Sequence, residues 1–287
     1  MIVTKLQGGI GNQMFQYAAG RALSLKHNTE LMLDLDAFLD SDSNRKYNLD
    51  VFGLKNNYHI NFNKSNVIKN KPILDWQPSE HKFSNYTIYK QPFISFDPNF
   101  ANYPNDCYLD GYWQSTKYFL KYEKAISEDF QFNNSIFDEY GDLIDKIVKV
   151  NSVAIHLRRG DYVSDRQTNL VHGALDVEYY IDAVDFISDK QLNPHYFVFS
   201  DDPEWVQANL STIKPITYMG KLNPDVVDLY LMSVCKHQIV ANSTFSWWAA
   251  WLNKNPDKIV VAPKKWFSNK DLNNQIGDLI PNNWRKI

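Results

Sequence analysis

The sequence predicts an α/β protein with two lobes, each built on a parallel sheet. Short apolar runs alternate with segments whose apolar residues recur at helical spacing. This alternation covers about the first 40 residues and returns from about residue 151 to the end. Between them, from about 41 to 115, Asn, Pro, Tyr and Phe are frequent and the alternation is lost. A length of 287 residues suits one large domain or two domains of ordinary size.

The first lobe is predicted to start with a strand, a loop, a helix and a second strand. These are "MIVTKL", the glycine-rich turn "QGGIGNQ", "QMFQYAAGRALSLKH" and "ELMLDLD". An irregular insertion is expected from about 41 to 110, followed by helices at "FLKYEKAISEDF" and "EYGDLIDKIVKV". We place the end of this lobe at residue 150.

The second lobe, residues 151–287, is predicted to be doubly wound. Its strands are "SVAIHL", "HYFVFS", "ITYM", "HQIVAN" and "KIVVAP", and its helices are "DVEYYIDAVDFISDK", "PEWVQANL", "PDVVDLYLMSVC" and "TFSWWAAWLN". Because ligands of such sheets bind at the carboxyl ends of the strands, we expect a crevice between two Rossmann-like lobes.

Composition excludes several classes of protein. The net charge of −3 argues against a nucleic-acid partner. Two cysteines form no ligand pattern and suit a reducing compartment. No apolar run approaches the roughly 20 residues of a spanning helix, and "MIVTKLQGG" lacks the features of a signal peptide. We therefore expect a cytoplasmic protein without an integral membrane segment, either free or peripherally attached to a membrane.

The segment "HLRRGDYV" places charged side chains at the tip of an apolar strand. His156 and Arg158 share one side of the strand, and Arg159 lies just past its end. A guanidinium group in this position suits bidentate contact with a phosphate, and Asp161 can pair with either arginine. The alternative is a surface Arg–Asp pair beside a buried histidine.

Polar residues also follow two other predicted strands. Asp201 and Asp202 can accept hydrogen bonds from a ribose or a guanine edge, or bind a metal ion. One of them is expected to cap the next helix and leave the other free. Asn242, Ser243 and Thr244 precede a helix and can form an anion cradle. The alternative for the latter is ordinary capping, with Trp247, Trp248 and Trp251 in the core.

The turn "GGIGNQ" resembles part of a dinucleotide-binding fingerprint. Its third glycine would fall at Met14, so the fingerprint is incomplete, and we rank an oxidoreductase below the alternative. The segment "DLD", Asp34 to Asp36, also mimics the Asp-x-Asp of metal-dependent enzymes, but acids at a strand end more often cap or are solvated. We expect no metal site, and the loop of Gly9, Gly11 and Asn12 can let a ligand come close to backbone N–H groups.

The segment "GYWQS" carries three further candidate ligand-binding residues, Tyr112, Trp113 and Gln114. Exposed aromatic faces can stack on a bound ligand. Buried packing near the lobe boundary explains the same residues equally well.

Four stretches together resemble the α1,2-fucosyltransferases, the inverting glycosyltransferase family 11. They are "GGIGNQMFQYA", "HLRRGDYV", "FVFSDD" and "NSTFSWWAAWL", and the closing "DLIPNNW" is similar to the tail of that family. The stretches occur in the family's order and span almost the whole chain. A bacterial member fits better than an animal one, since animal members carry a membrane anchor ahead of the catalytic region.

The resemblance implies a GT-B-like fold and transfer of L-fucose from GDP-fucose to the 2-hydroxyl of a terminal β-galactoside, such as lactose or a surface polysaccharide unit. It also implies no cofactor and no obligatory metal. The N-terminal lobe would form the acceptor side, with acceptor binding assigned to Tyr112, Trp113 and Gln114. We also assign Gly9, Gly11 and Asn12 of this lobe to donor binding. His156, Arg158 and Arg159 would hold the donor, together with Asp201 or Asp202, Ser243 and Thr244.

For the chemistry, we expect Arg158 to stabilise the departing diphosphate, with Arg159 and His156 as supporting groups. Asp161 is a candidate base, or it orients an arginine. Two other functions stay open: a fucosyltransferase of another linkage, and a non-catalytic protein that binds a nucleotide or a glycan.

Overall fold

The computed structural model describes residues 1–38, 45–54, 58–61, 87–92, 94–219 and 224–287. The chain forms two compact units, one made of Met1–Phe132 with Gly277–Leu279 and the other of Asn133–Ile276 with Ile280–Ile287. The units therefore divide near residue 132 and not at the predicted 150, because the helix Gly141–Lys149 packs on the sheet of the second unit. Of the insertion expected from 41 to 110, residues 41–44, 55–57, 62–86 and 93 lie outside the described residues.

The first unit contains a parallel sheet with the strand order β3-β2-β1-β5-β4. Its helices and strands, in chain order, are β1 (Ile2–Lys5), α1 (Ile10–His27), β2 (Leu31–Asp34), β3 (Tyr58–Asn61), β4 (Thr87–Lys90), β5 (Cys107–Asp110) and α2 (Glu123–Asp129). Ile2 pairs with Leu31 of β2 and with Cys107 of β5. The chain therefore extends the sheet in opposite directions from β1, and the switch point lies between β1 and β5.

The second unit contains a parallel sheet with the order β11-β10-β9-β6-β7-β8. Its elements are α3 (Gly141–Lys149), β6 (Asn151–Leu157), α4 (Gly160–Ser164), α5 (Arg166–Val171), α6 (Val177–Ser188), β7 (Pro194–Ser200), α7 (Pro203–Leu210), β8 (Ile216–Tyr218), α8 (Asp225–Val234), β9 (His237–Ile239), α9 (Thr244–Leu252), β10 (Val260–Ala262), α10 (Lys270–Asn273) and β11 (Arg285–Lys286). Ile155 pairs with Val198 and with Ile239, so the switch point lies between β6 and β9.

The core of the second unit surrounds β6, which is buried on both faces as a central parallel strand should be. Val153, Ile155 and Leu157 contribute its apolar side chains, together with residues of α6 and β7. Trp247 and Trp248 of α9 are fully buried, with ring centroids 5.1 Å apart, and Trp251 is half-buried. The prediction that these tryptophans serve packing is confirmed for the first two.

Two short helices, α4 and α5, directly follow β6 and were not predicted. Five and six residues are too few for an apolar stripe at helical spacing. Asp165 caps α5 by accepting a hydrogen bond from the Thr168 N–H at 2.7 Å. Among the described residues, none of the helices combines the length and apolar character required to cross a membrane.

Candidate active site

Three predicted strand ends meet at the switch point of the second unit. The end of β6 carries Arg158, the end of β7 carries Asp201, and the loop after β9 carries Asn242. Arg158 Nη1 lies 2.9 Å from Asp201 Oδ2, and the hydroxyl of Tyr162 donates to the Asn242 carbonyl at 3.2 Å. The sequence-based expectation that these motifs converge is therefore confirmed within this unit.

Arg158 is held between two carboxylates. Its Nη2 donates to Asp161 Oδ1 at 2.6 Å, while its Nη1 pairs with Asp201. Its guanidinium carbon lies 5.6 Å from the centre of the Tyr162 ring. One terminal nitrogen is thus held by a hydrogen bond to Asp161 and the other by an ion pair with Asp201, whose Oδ2 has no hydrogen-bond partner among the described residues.

Arg159 is fixed by a different set of contacts. Its Nε donates to Asp202 Oδ2 at 3.1 Å, and its guanidinium carbon lies 4.2 Å from the centre of the Trp205 ring. Its backbone N–H donates to Asp201 Oδ1 at 2.8 Å. The two neighbouring arginines therefore point to different partners.

The two aspartates after β7 differ from expectation in one respect. Asp202 caps α7 by accepting a hydrogen bond from the Trp205 N–H at 3.2 Å, as predicted for one of the pair. The prediction that the other acid is left free is wrong. Asp201 binds the Arg159 N–H and pairs with Arg158, because β6 and β7 are adjacent strands whose ends lie side by side.

Gly160 allows the close approach of Asp201 to the strand tip. A Cβ atom at this position would lie 2.7 Å from Asp201 Oδ2, which is nearer than real Cβ atoms come to a neighbour. Only glycine therefore leaves room for the carboxylate that holds Arg158.

We expect Gly160→Ala to lower kcat/KM by about tenfold or more, the result of losing about 1.4 kcal/mol of transition-state stabilisation. The new methyl group would push Asp201 away and leave Arg158 with a displaced partner. Steady-state rates on purified protein measure the effect. Gly141→Ala is the matched control, since a Cβ there meets nothing within 4 Å. Equal rates for the two variants would contradict the positioning of Arg158 by Asp201.

His156 is buried at the end of β6, with its ring 5.5 Å from that of Phe245. Within the described part of the chain, its Nδ1 has no hydrogen-bond partner. Burial, and secondarily the charge of Arg158, lower the pKa of His156 to about 4. Near neutral pH His156 is therefore uncharged, so any support that it gives the arginines does not come from a positive charge.

The lowered pKa of His156 has a consequence for stability. As the pH falls from about 6.5 to about 4, the unfolded chain binds a proton that the native state does not. We expect this residue to lower the free energy of unfolding by about 1.4 kcal/mol per pH unit in that window. Urea unfolding of the wild type and of His156→Asn at several pH values in this window measures the effect. The free energy of unfolding should fall more for the wild type than for the variant. An equal fall in the two proteins would contradict a neutral His156.

The loop after β9 is organised by Asn242. Its buried Nδ2 donates to the carbonyls of His172, Gly173 and Trp266 at 2.9–3.2 Å. Ser243 caps α9 by accepting from the Phe245 N–H at 3.3 Å, and the half-buried Thr244 begins the helix. The capping alternative is therefore confirmed for Ser243. The side-chain amide group of Asn242 donates its hydrogen bonds to three loop carbonyls.

Sequence reasoning missed Tyr162 and His172. Their rings stack at 4.9 Å with an interplanar angle of 10°, and Phe267 lies 5.3 Å beyond. Burial lowers the pKa of His172. The position of Tyr162 immediately after "RRGD" could have indicated its role. No local sequence pattern indicated that its ring would stack on that of His172.

The first unit brings its two predicted segments together at its own switch point. Asn12, near the start of α1, accepts a hydrogen bond from Gln114 Nε2 at 3.0 Å. Gly8 has a φ of +80°, and Gly9 is the N-cap of α1. The segments assigned to donor binding, Gly9, Gly11 and Asn12, and to acceptor binding, Tyr112, Trp113 and Gln114, thus meet where β1 and β5 end.

Trp113 is a core residue. Its side chain is 0% exposed and packs against Phe100 and Tyr118, with ring centroids 5.5 and 5.3 Å away. This corrects the prediction that it stacks on an acceptor sugar and agrees with the packing alternative. Tyr112, by contrast, is 43% exposed.

The acids after β2 have structural partners. Asp34 accepts hydrogen bonds from the Tyr108 hydroxyl at 2.5 Å and from the Asp36 N–H at 3.0 Å. Burial, with Asp34 nearby, raises the pKa of Asp36 to about 6. In the part of the chain that the structure describes, no group of three or more His, Cys, Asp or Glu side chains is placed to hold a metal ion.

Comparison with known sequences identifies the family. Residues 1–287 match the sequence model of glycosyl transferase family 11. The chain belongs to glycosyltransferase family 11. This family 11 enzyme is 33% identical to an α1,2-colitosyltransferase of Escherichia coli over 100% of this chain and 99% of the relative. It is 32% identical to the O-antigen biosynthesis glycosyltransferase WbnK of the same species, over 92% and 94% of the two chains.

More distant similarities extend to animals. The family 11 enzyme is 26% identical to the bovine galactoside 2-α-L-fucosyltransferase SEC1, over 50% of this chain and 41% of that protein. Among solved structures, POFUT1 in complex with GDP-fucose superposes with a TM-score of 0.54 and 14% identity, over 91% and 97% of the two chains. The fold is therefore GT-B-like, as the sequence resemblance implied.

Proposed function

We propose that this family 11 enzyme transfers L-fucose from GDP-fucose to the 2-hydroxyl of a terminal β-galactoside, forming an α1,2 linkage. The observation that carries the proposal is the Arg158 fork, held at the switch point of a parallel sheet, where such folds bind nucleotides. The diphosphate of the donor is thus assigned to the second unit, facing Arg158, Arg159 and the neutral His156.

Arg158 suits the charge change of this reaction. When GDP leaves the sugar, negative charge grows on the diphosphate, and a preorganised guanidinium group stabilises that charge more strongly in the transition state than in the ground state. Since a loose transition state needs little help from a base, we propose no obligatory base. We also propose that no divalent ion is required, so the rate should be unchanged in EDTA.

The names of relatives support the linkage. The E. coli colitosyltransferase and the bovine fucosyltransferase both form bonds to a 2-position, as their names state. The galactoside in the bovine name supports a galactose acceptor, and the O-antigen role of WbnK supports a surface polysaccharide unit. We assign acceptor binding to the first unit, around Tyr112 and Gln114.

A second candidate has a specific observation in its favour. The relative that is 33% identical over the whole chain transfers colitose. Colitose is L-fucose without its 3-hydroxyl, so the two donors differ by one polar group. A site that hydrogen-bonds this hydroxyl would reject the deoxy sugar strongly, whereas an apolar site would discriminate weakly.

The test is a donor and acceptor matrix. GDP-fucose and GDP-colitose are each incubated with lactose and a panel of other β-galactosides, and product linkage is determined by NMR. The proposal expects an α1,2-fucosylated product and a higher kcat/KM for GDP-fucose. Three outcomes would each contradict the proposal: a product of another linkage, a preference for the deoxy donor, or GDP binding without transfer.

A further inference from the structure

Three carboxylates lie on the two arginines that follow β6. The guanidinium groups of Arg158 and Arg159 are paired with the carboxylates of three residues, Asp161, Asp201 and Asp202, at distances of 2.6–3.1 Å. A diphosphate entering this cluster would meet arginines that already have partners. Bringing further negative charge beside three carboxylates is unfavourable unless one of them gives way.

The two carboxylates on Arg158 are not held equally. Asp201 Oδ1 also accepts the Arg159 N–H at 2.8 Å, and its Oδ2 would lie only 2.7 Å from a Cβ atom at position 160. Asp161 lies on α4, a helix of five residues, and its side chain is 35% exposed against 27% for Asp201. Moving Asp161 leaves this backbone hydrogen bond in place, whereas moving Asp201 breaks it.

We propose that Asp161 and the donor diphosphate compete for Nη2 of Arg158, while Asp201 holds Nη1 in both states. The inference rests on the proposed function, because it takes a sugar nucleotide as the ligand. Before the donor binds, Asp161 keeps the guanidinium group extended and charge-balanced. When the donor binds, the diphosphate replaces Asp161 on Nη2, and the Asp201 pair preserves the orientation of the fork. Asp161 and Asp201 are thus positioning residues that affect donor affinity in opposite directions.

The test compares two substitutions that remove the same charge from the same arginine. Affinity for GDP is measured by isothermal titration calorimetry for the wild type, Asp161→Asn and Asp201→Asn. We expect Asp161→Asn to bind GDP about fivefold more tightly, since a partly exposed competing ion pair is lost. Asp201→Asn should bind about tenfold more weakly, because an anchor of Arg158 is lost. A damaged fold explains weaker binding but not tighter binding.

Two further variants separate competition from general effects of charge. Asp182→Asn removes a carboxylate from the exposed side of α6 in the same unit and should leave GDP affinity within about twofold. Asp161→Glu keeps the competing charge and should not bind more tightly than the wild type. Asp161→Ser repeats the main test if the asparagine variant does not fold, which thermal unfolding by circular dichroism shows.

The outcomes separate this inference from the proposed function. If the wild type binds GDP and Asp161→Asn binds it equally or more weakly, the exchange is overturned and the proposed function stands. Tighter binding in all three asparagine variants also overturns it, because the effect would then be one of overall charge. If the wild type does not bind GDP, the proposed function fails, and this inference fails with it.

Discussion

Replacing Arg158 by alanine or by lysine is expected to lower kcat by about a hundredfold or more, the usual cost of removing a group that stabilises developing charge. Lysine should fail as alanine does, because one ammonium group cannot occupy the positions of Nη1 and Nη2, which pair with Asp201 and Asp161. The lysine variant keeps the positive charge but lacks the two terminal nitrogens of the guanidinium group. Release of GDP from GDP-fucose in the presence of lactose gives the rate.

The control for Arg158 is the same chemical change at an exposed site. Arg166 begins α5 in the same unit and is exposed, so Arg166→Lys should keep the wild-type rate. Circular dichroism establishes that each variant is folded. If the Arg158→Lys protein is folded and has a near wild-type rate, the proposed role of the Arg158 guanidinium group is contradicted. A positive charge alone would then be sufficient.

Trp113→Ala is expected to lower the free energy of unfolding by about 3–5 kcal/mol, the usual cost of removing a large buried ring. The indole packs among the aromatic rings of Phe100, Tyr103 and Tyr118, and replacing it leaves a cavity. The backbone of Trp113 has a φ of +55°, which alanine also adopts at a cost. Urea unfolding followed by circular dichroism measures the loss.

Tyr112→Ala is the neighbouring control for Trp113. Its side chain is 43% exposed, so the free energy of unfolding should change by about 0.5 kcal/mol or less. If Trp113→Ala kept wild-type stability and only raised the KM for the acceptor, the acceptor-binding assignment would be restored and the packing role withdrawn.

Much of the second unit could be predicted because its pattern is local. The helix Pro203–Leu210 begins and ends as predicted, and the strand expected at 152–157 forms at Asn151–Leu157. A buried parallel strand is predicted by an apolar run, and a helix start by a proline in its first turn. Both patterns can be recognised within a few residues of sequence. The short elements α4, α5, β4 and β5 were not predicted one by one, since their pairing and capping depend on residues elsewhere.

The sequence by itself determined which chemical groups stand at the ends of β6, β7 and the loop after β9, because the strand pattern places each residue along the chain. Only the tertiary structure decided how these groups pair. Asp201, which the sequence left as a candidate free acid, forms an ion pair with Arg158, and Trp113, a candidate for stacking on a sugar, is a core residue. The physical reason is that pairing and burial depend on contacts between segments far apart in sequence. A Cβ atom at Gly160, for example, would lie only 2.7 Å from Asp201 Oδ2.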